Sequence, residues 1–302
     1  MVINDTLASG LKNRFWSELD SNYDKATLLI ERYKSNHKIK LRSRNGIDKF
    51  DSALRSGYGN SLLASYKSGS RNSPLMRYAL LAGIKNTVNE WDEKTFHIID
   101  MAFDVFGQTK YYPTMLRVGE HAVSRVFQRH PQIYNEDTEE FEIMKIIPEF
   151  QTLAMYGHLM YGIIKGVGID NEYMLHSISL PFVTNSGIFL GSYNKKEDLL
   201  DVRTFIADHQ LSPNQSALAI SLREHFATNF SPVMPFIFHE MHSAGSFPTE
   251  MIAFYAALYK VGLSFAELAT WNESNPEKKK ESQRIIIGFL ESMSAISLGN
   301  IE

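Results

Sequence analysis

The chain has 302 residues, 44% of them hydrophobic and 12% aromatic, with a formal net charge of −3. That much apolar mass suffices for one large domain or two ordinary ones, and it excludes disorder over most of the length. With no cysteine at all, disulfides and thiolate metal sites are excluded.

No run approaches the roughly 18 consecutive apolar residues of a membrane span. The start "MVINDTLASGLKNRFW" also lacks the charged head and apolar core of a secretory signal. A cytoplasmic protein without a membrane partner is expected.

In chain order, 13–36 reads as an amphipathic helix, with Phe15, Trp16, Leu19, Tyr23, Leu28 and Ile30 at helical spacing. "SNHKIKLRSRNGIDKF" is polar and basic, and "RSGYGNSLLASYKSGSRNSP" is rich in Gly and Ser, so the pair predicts a mobile linker or binding loop. The expected organisation is a basic helical region over 1–72 followed by a main domain over 73–302. That domain opens with a helix in "SPLMRYALLAGI", capped by Ser73 with Pro74 in the first turn.

"KTFHIIDMAFDVFG" suits a buried helix or a strand equally, with Gly107 and "QTKYYP" ending it. The spacing predicts a helix over 118–130, stopped by Pro131. "NEDTEEFE" is an acidic surface stretch, and "IIPEFQTLAMYGHLMYGIIKG" an apolar helix closed by Gly166 and Gly168.

From 173 onward, "YMLHSISLPFV", "GIFLGSY" and "LLDVRTFIA", separated by turn compositions, predict a three-stranded antiparallel meander. Strict alternation in the third strand sets Leu200, Val202, Thr204 and Ile206 against Asp201, Arg203 and Phe205. Helices return with "SPNQSALAISLREHF", where Ser212 and Gln215 have capping-box spacing. "FPTEMIAFYAALYK", "SFAELATWN" (Ser264 and Glu267 repeating that spacing) and the carboxy-terminal "NPEKKKESQRIIIGFLESMSAI" complete the pattern. The expected fold class is α+β, predominantly helical with one small antiparallel β-meander.

Charge is unevenly spread. Residues 25–77 hold twelve Lys or Arg against three acids (Glu31, Asp48, Asp51), and the remainder 19 basic against 31 acidic residues. Such a segment attracts polyanions. Lys38, Lys40, Arg42 and Arg44 are its candidate nucleic-acid contacts, and a binding or scaffold protein with a basic amino-terminal arm is one function consistent with it.

The candidate chemistry lies in "VGEHAVSRVFQRHP". At about 100° per residue, Ser124, Gln128, His121, Arg125 and Arg129 share roughly 140° of arc, and Ala122, Val123, Val126 and Phe127 fill the rest. Like charge on Arg125 and Arg129 disfavours protonation of His121, which leaves a neutral base beside two anion-binding guanidinium groups. Cleaving RNA without a metal needs that pairing. A base takes the 2′-hydroxyl proton, and cations stabilise the charged phosphorane. Arg203 and Thr204, central in a strand, add a fork and a hydroxyl for phosphate oxygens.

A helix reading "EHAVSRVFQR", followed by a meander strand such as "VRTFI", resembles the barnase–EndoU–colicin–RelE type of small ribonuclease fold over residues 118–206. That group includes many toxins. The resemblance implies metal-independent cleavage of RNA, with His121, Arg125, Arg129 and Thr204 at the matching positions.

A rival stands in the same letters. "RVFQRH" sets Arg125 and His130 at the Arg–x4–His spacing of HEPN ribonucleases, and "RYKSNH" repeats it, but that family is all-helical. "FIFHEMHSAGS" places His239, Glu240 and His242 one residue short of a metalloprotease helix motif. "GIIKGVG" and "GYGNS" lack the context of phosphate loops, so no metal and no nucleotide cofactor are expected.

Overall fold

The computed structural model describes residues 3–35, 44–70, 73–85, 94–103, 109–130, 132–166, 179–229, 262–270 and 273–299. Two compact units divide the chain between Gln151 and Thr152.

The first unit opens with helix α1 (Asp5–Ser35), which begins a full two turns before the expected 13. Ala8, Leu11, Phe15, Leu19, Ala26 and Ile30, three, four or seven residues apart, form its buried stripe. Leu28 falls on the opposite side of that stripe and is 54% exposed.

The stretch expected as a mobile linker holds helix α2 (Arg44–Tyr58) and strand β1 (Leu62–Ser70). Phe50, Leu54 and Tyr58, one per turn of α2, pack with Ala26 and Ile30 of α1 against Met76, Tyr78, Leu80, Met101 and Phe103. One large buried apolar residue per turn is enough to seat a helix whose remaining positions are mostly polar or small, so composition alone hid it.

Strands β2 (Ser73–Lys85), β3 (Lys94–Phe103) and β4 (Thr109–Gly119) follow, each antiparallel to its neighbour, with β1 beside β2. The helix expected at "SPLMRYALLAGI" is therefore the strand β2. Every side chain from Met76 to Ala82 is buried. A strand covered on both faces loses the alternation that would mark it, and Leu, Ala and Met are good helix formers, so its letters mimic a buried helix.

Residue 73 begins the second strand of a hairpin, with Ser70 opposite Ser73. "QTKYYP", expected to end an element, instead lies within and just before β4. The register there runs Ile98↔Leu116 and then Asp100↔Tyr112, so Pro113 sits in a bulge where no ladder N–H is required.

Beyond β4 come helix α3 (Glu120–Arg129), a two-stranded ribbon of β5 (Tyr134–Asn135) and β6 (Glu140–Phe141), and helix α4 (Ile147–Gly166), whose first turns belong to this unit. Phe15 of α1 gathers Phe96, Phe127 and Phe150, with ring centroids 5.7, 5.7 and 5.9 Å away. Trp16 lies over Phe96 and Gly83, and a Cβ built at Gly83 would stand 2.6 Å from the indole. Glycine is what lets α1 approach the sheet at that point.

The second unit contains the expected meander as β7 (Leu180–Val183), β8 (Gly187–Asn194) and β9 (Leu199–Ala207), antiparallel throughout. The register passes from Gly191↔Val202 to Leu190↔Thr204, which leaves Arg203 as an extra residue in a β-bulge. The bulge shifts the alternation by one. Phe205, expected to share a face with Asp201, is instead fully buried, with its ring centroid 4.9 Å from that of Phe189.

Helices α5 (Pro213–Asn229), α6 (Gly262–Ala269) and α7 (Pro276–Gly299) follow. The capping box at α5 is formed. Gln215 N–H donates to Ser212 Oγ at 3.4 Å, and Ser212 N–H to Gln215 Oε1 at 2.9 Å. Ser264, expected to cap the next helix, lies inside α6.

The fold class is corrected accordingly. The protein is α+β, but it is not predominantly helical with one small meander. The described residues hold seven strands of four or more residues, four in the first unit and three in the second, alongside seven helices. No helix among the described residues is long and apolar enough to cross a membrane. Lys38, Lys40, Arg42, His239, Glu240, His242, the expected helix over 247–260 and the start of the first expected meander strand (173–178) lie outside the described residues.

Candidate functional site

Helix α3 has the two faces that its sequence predicts. Ala122, Val123, Val126 and Phe127 are wholly buried. Glu120, in the first turn, interacts favourably with the helix N-terminus and forms an ion pair with the buried Lys12 Nζ of α1. Eight residues further along α3, Gln128 donates from Nε2 to Asp5 Oδ1 in the first turn of α1. Lys12 meets the start of α3 and Asp5 its end, so the two helices run antiparallel and are tied at both ends of the contact.

Between those ties lies a short polar chain. Arg125 Nη1 donates to Gln128 Oε1 at 2.7 Å, and Arg125 Nε donates to His121 Nε2 at 3.3 Å. A guanidinium group is a donor only. In this hydrogen bond the ring nitrogen Nε2 is therefore the acceptor. His121 is exposed and Arg125 half-buried.

Arg125 is held by a ring nitrogen and an amide oxygen, and it meets no carboxylate among the described residues. Its charge is available to a negative ligand arriving from solvent. Arg129, one turn on, is half-buried, and burial first, then the nearby charge of Arg125, lower its pKa from the ordinary value. It is still a cation at neutral pH.

The other expected residues divide. Arg203 is exposed at its bulge in β9 and Thr204 beside it is half-buried, both in the second unit, whereas His121, Arg125 and Arg129 belong to the first. Arg44 opens α2. In the basic segment, Arg55 pairs with Asp51 at 2.9 Å and Lys67 with Asp48 at 2.6 Å, so two of its cations already face two of its three acids.

His130 does not join Arg125 as the HEPN spacing requires. It caps α3, accepts from Gln132 N–H at Nδ1 (3.3 Å) and turns Nε2 toward the buried Glu149 Oε1 at 3.5 Å. The four-stranded sheet of the first unit also departs from an all-helical domain.

Sequence reasoning missed two polar groups. Asp5 enters the α3 network from 116 or more positions away, and only an antiparallel helix contact, invisible to local spacing, brings it there. The second group lies within the sheet. Arg77 Nη2 stands 3.6 Å from Asp100 Oδ2 with both side chains almost wholly buried. His97 pairs across β3 and β4 with Arg117 and lies 2.8 Å from Thr95 Oγ1, all buried. Single polar letters inside apolar strands ("LMRYALL", "TFHIIDMAF") were the available signal. Among the described residues, no three or more His, Asp or Glu side chains cluster as a metal site.

No family model, characterised protein or solved structure matches the chain.

Proposed function

We propose that the outer face of α3 binds and cleaves phosphodiesters, and that the protein is a metal-independent ribonuclease with His121 as general base. One observation carries the reading. A solvent-accessible imidazole accepts at Nε2, 3.3 Å away, from a guanidinium group whose other partner is an amide oxygen.

An incoming phosphate oxygen takes over the Arg125 Nε–H, because an anion is a stronger acceptor than a neutral ring. That transfer frees the His121 Nε2 lone pair. Nε2 then removes the 2′-hydroxyl proton, and the 2′-oxygen attacks the adjacent phosphorus. The bond from phosphorus to the 5′-oxygen breaks, and the departing oxygen takes a proton from the imidazolium. The products are a 2′,3′-cyclic phosphate and a 5′-hydroxyl, with the base restored. Arg125 and Arg129 hold the non-bridging oxygens as charge builds on them.

The test is incubation of the purified protein with total RNA in EDTA. Cleavage that persists in chelator and is lost in His121→Ala, but not in His209→Ala of the second unit, supports the proposal. Intact RNA over a wide range of protein concentration refutes it. Tight RNA binding without turnover would instead assign the chain to the non-enzymatic binding proteins.

A further inference from the structure

We infer that Asp5 is a positioning residue for the α3 site, acting on His121 through Gln128 and Arg125. The inference rests on α3 being the working face, and it adds α1 to the machinery.

A carboxylate oxygen accepts only, so Asp5 Oδ1 forces Gln128 to present Nε2 toward it. The amide oxygen Oε1 must then face the opposite way, where it accepts from Arg125 Nη1 at 2.7 Å. Gln128 at Nη1 and His121 Nε2 at Nε together set the plane of the guanidinium group. The ring is thereby held with Nε2 bare, the form a base needs.

Two members have their sense fixed by their own chemistry, since Asp5 only accepts and Arg125 only donates, and Gln128 satisfies both in one orientation. An amide on its own has two orientations related by a half-turn. Without Asp5, Gln128 loses its tether to α1 and regains rotamer freedom, and Arg125 Nη1 loses a fixed acceptor. The ion pair of Lys12 with Glu120 keeps α1 and α3 docked at the other end of the contact, so loss of Asp5 acts on orientation and not on docking.

The experiment is nitrogen-15 NMR of the histidine rings in the full chain at about pH 8, above the usual imidazole range. The His121 signals are assigned by their loss in His121→Ala. In the wild type, the Nε2 resonance is expected at the position of a bare ring nitrogen. In Asp5→Ala it moves upfield toward the protonated position, and Gln128→Met produces the same shift by a different deletion. Asp5→Asn, which keeps an acceptor oxygen, restores the wild-type ring signal.

In RNA cleavage, Asp5→Ala lowers kcat about tenfold with KM within about twofold, as loss of orientation and not of binding does. Ring signals in Asp5→Ala and Gln128→Met that coincide with the wild type overturn the inference, whatever the RNA assay gives. A ring that shifts in a protein that cuts no RNA leaves the relay standing and removes the ribonuclease.

Discussion

The first unit contains two arginines in opposite electrostatic situations. Arg77, 2% exposed, stands against the carboxylate of Asp100 between strands, whereas Arg125 is half-open to water and held by a ring nitrogen and an amide oxygen. A guanidinium whose charge is offset inside the protein contributes to the fold and has nothing left for a ligand. One positioned by neutral acceptors keeps its charge for a partner from solution. What separates the two is the charge of their partners.

The largest expected effect falls on the buried pair. Arg77→Met removes a guanidinium group from beside the buried Asp100 carboxylate and should cost about 3–5 kcal/mol of stability by denaturant titration. Removing Arg125 as Arg125→Gln should cost less than about 0.5 kcal/mol on the same titration. Equal losses would erase the distinction between them.

Next comes His121→Ala, expected to lower RNA cleavage by about 100-fold or more while the unfolding midpoint stays put, since an exposed ring contributes little to packing. Arg125→Lys is smaller again. It keeps the charge but cannot serve His121 and Gln128 from one planar fork, so kcat/KM should fall about tenfold. Full activity in the lysine variant would mean that charge alone is required there.

How much of this was legible from the letters depended on locality. The two faces of α3, the Ser212 and Gln215 cap and the three-strand meander follow from spacings of two, three and four residues, and all three are found. Strand β2 was not legible, because burial on both faces makes "LMRYALLA" uniform where a half-buried strand would alternate. Phe205 was misplaced for a different reason. A single extra residue at Arg203 inverts the face of everything after it, and no local signal marks the bulge. The site divides along the same line. His121, Arg125, Arg129 and Gln128 share an arc of one helix, while Asp5 reaches Gln128 only through helix docking and Asp100 reaches Arg77 only through strand register.

Burial, and then the hydrogen bond to Asp51, push the Tyr78 phenol well above its ordinary value. A group whose pKa is raised on folding contributes stability that is complete below the unfolded value of about 10 and is lost as pH rises beyond it. Unfolding free energy should therefore drop above about pH 10, and less steeply in Tyr78→Phe. An unchanged slope in the variant would contradict the assignment.

The smallest effect belongs to a charge that is satisfied at the surface. Hydrogen bonds from Lys145 and Asn135 lower the Glu142 pKa. Its contribution is present above the unfolded carboxylate value of about 4.3 and fades as pH falls through the lower folded one. Lys145→Ala should raise the Glu142 pKa in a carboxylate NMR titration with little change in neutral-pH stability.

The claim that Arg125 offers its charge to a phosphate is tested most directly by salt. With His121→Ala as the background, so that RNA is bound and not cut, affinity for a short RNA oligonucleotide is measured from about 50 to 200 mM salt. Adding Arg125→Gln should weaken binding at every salt concentration and reduce the slope of log K against log salt by about one. Identical affinity and slope in the two proteins would show that no phosphate meets this arginine, and the account of α3 as a nuclease face would fail.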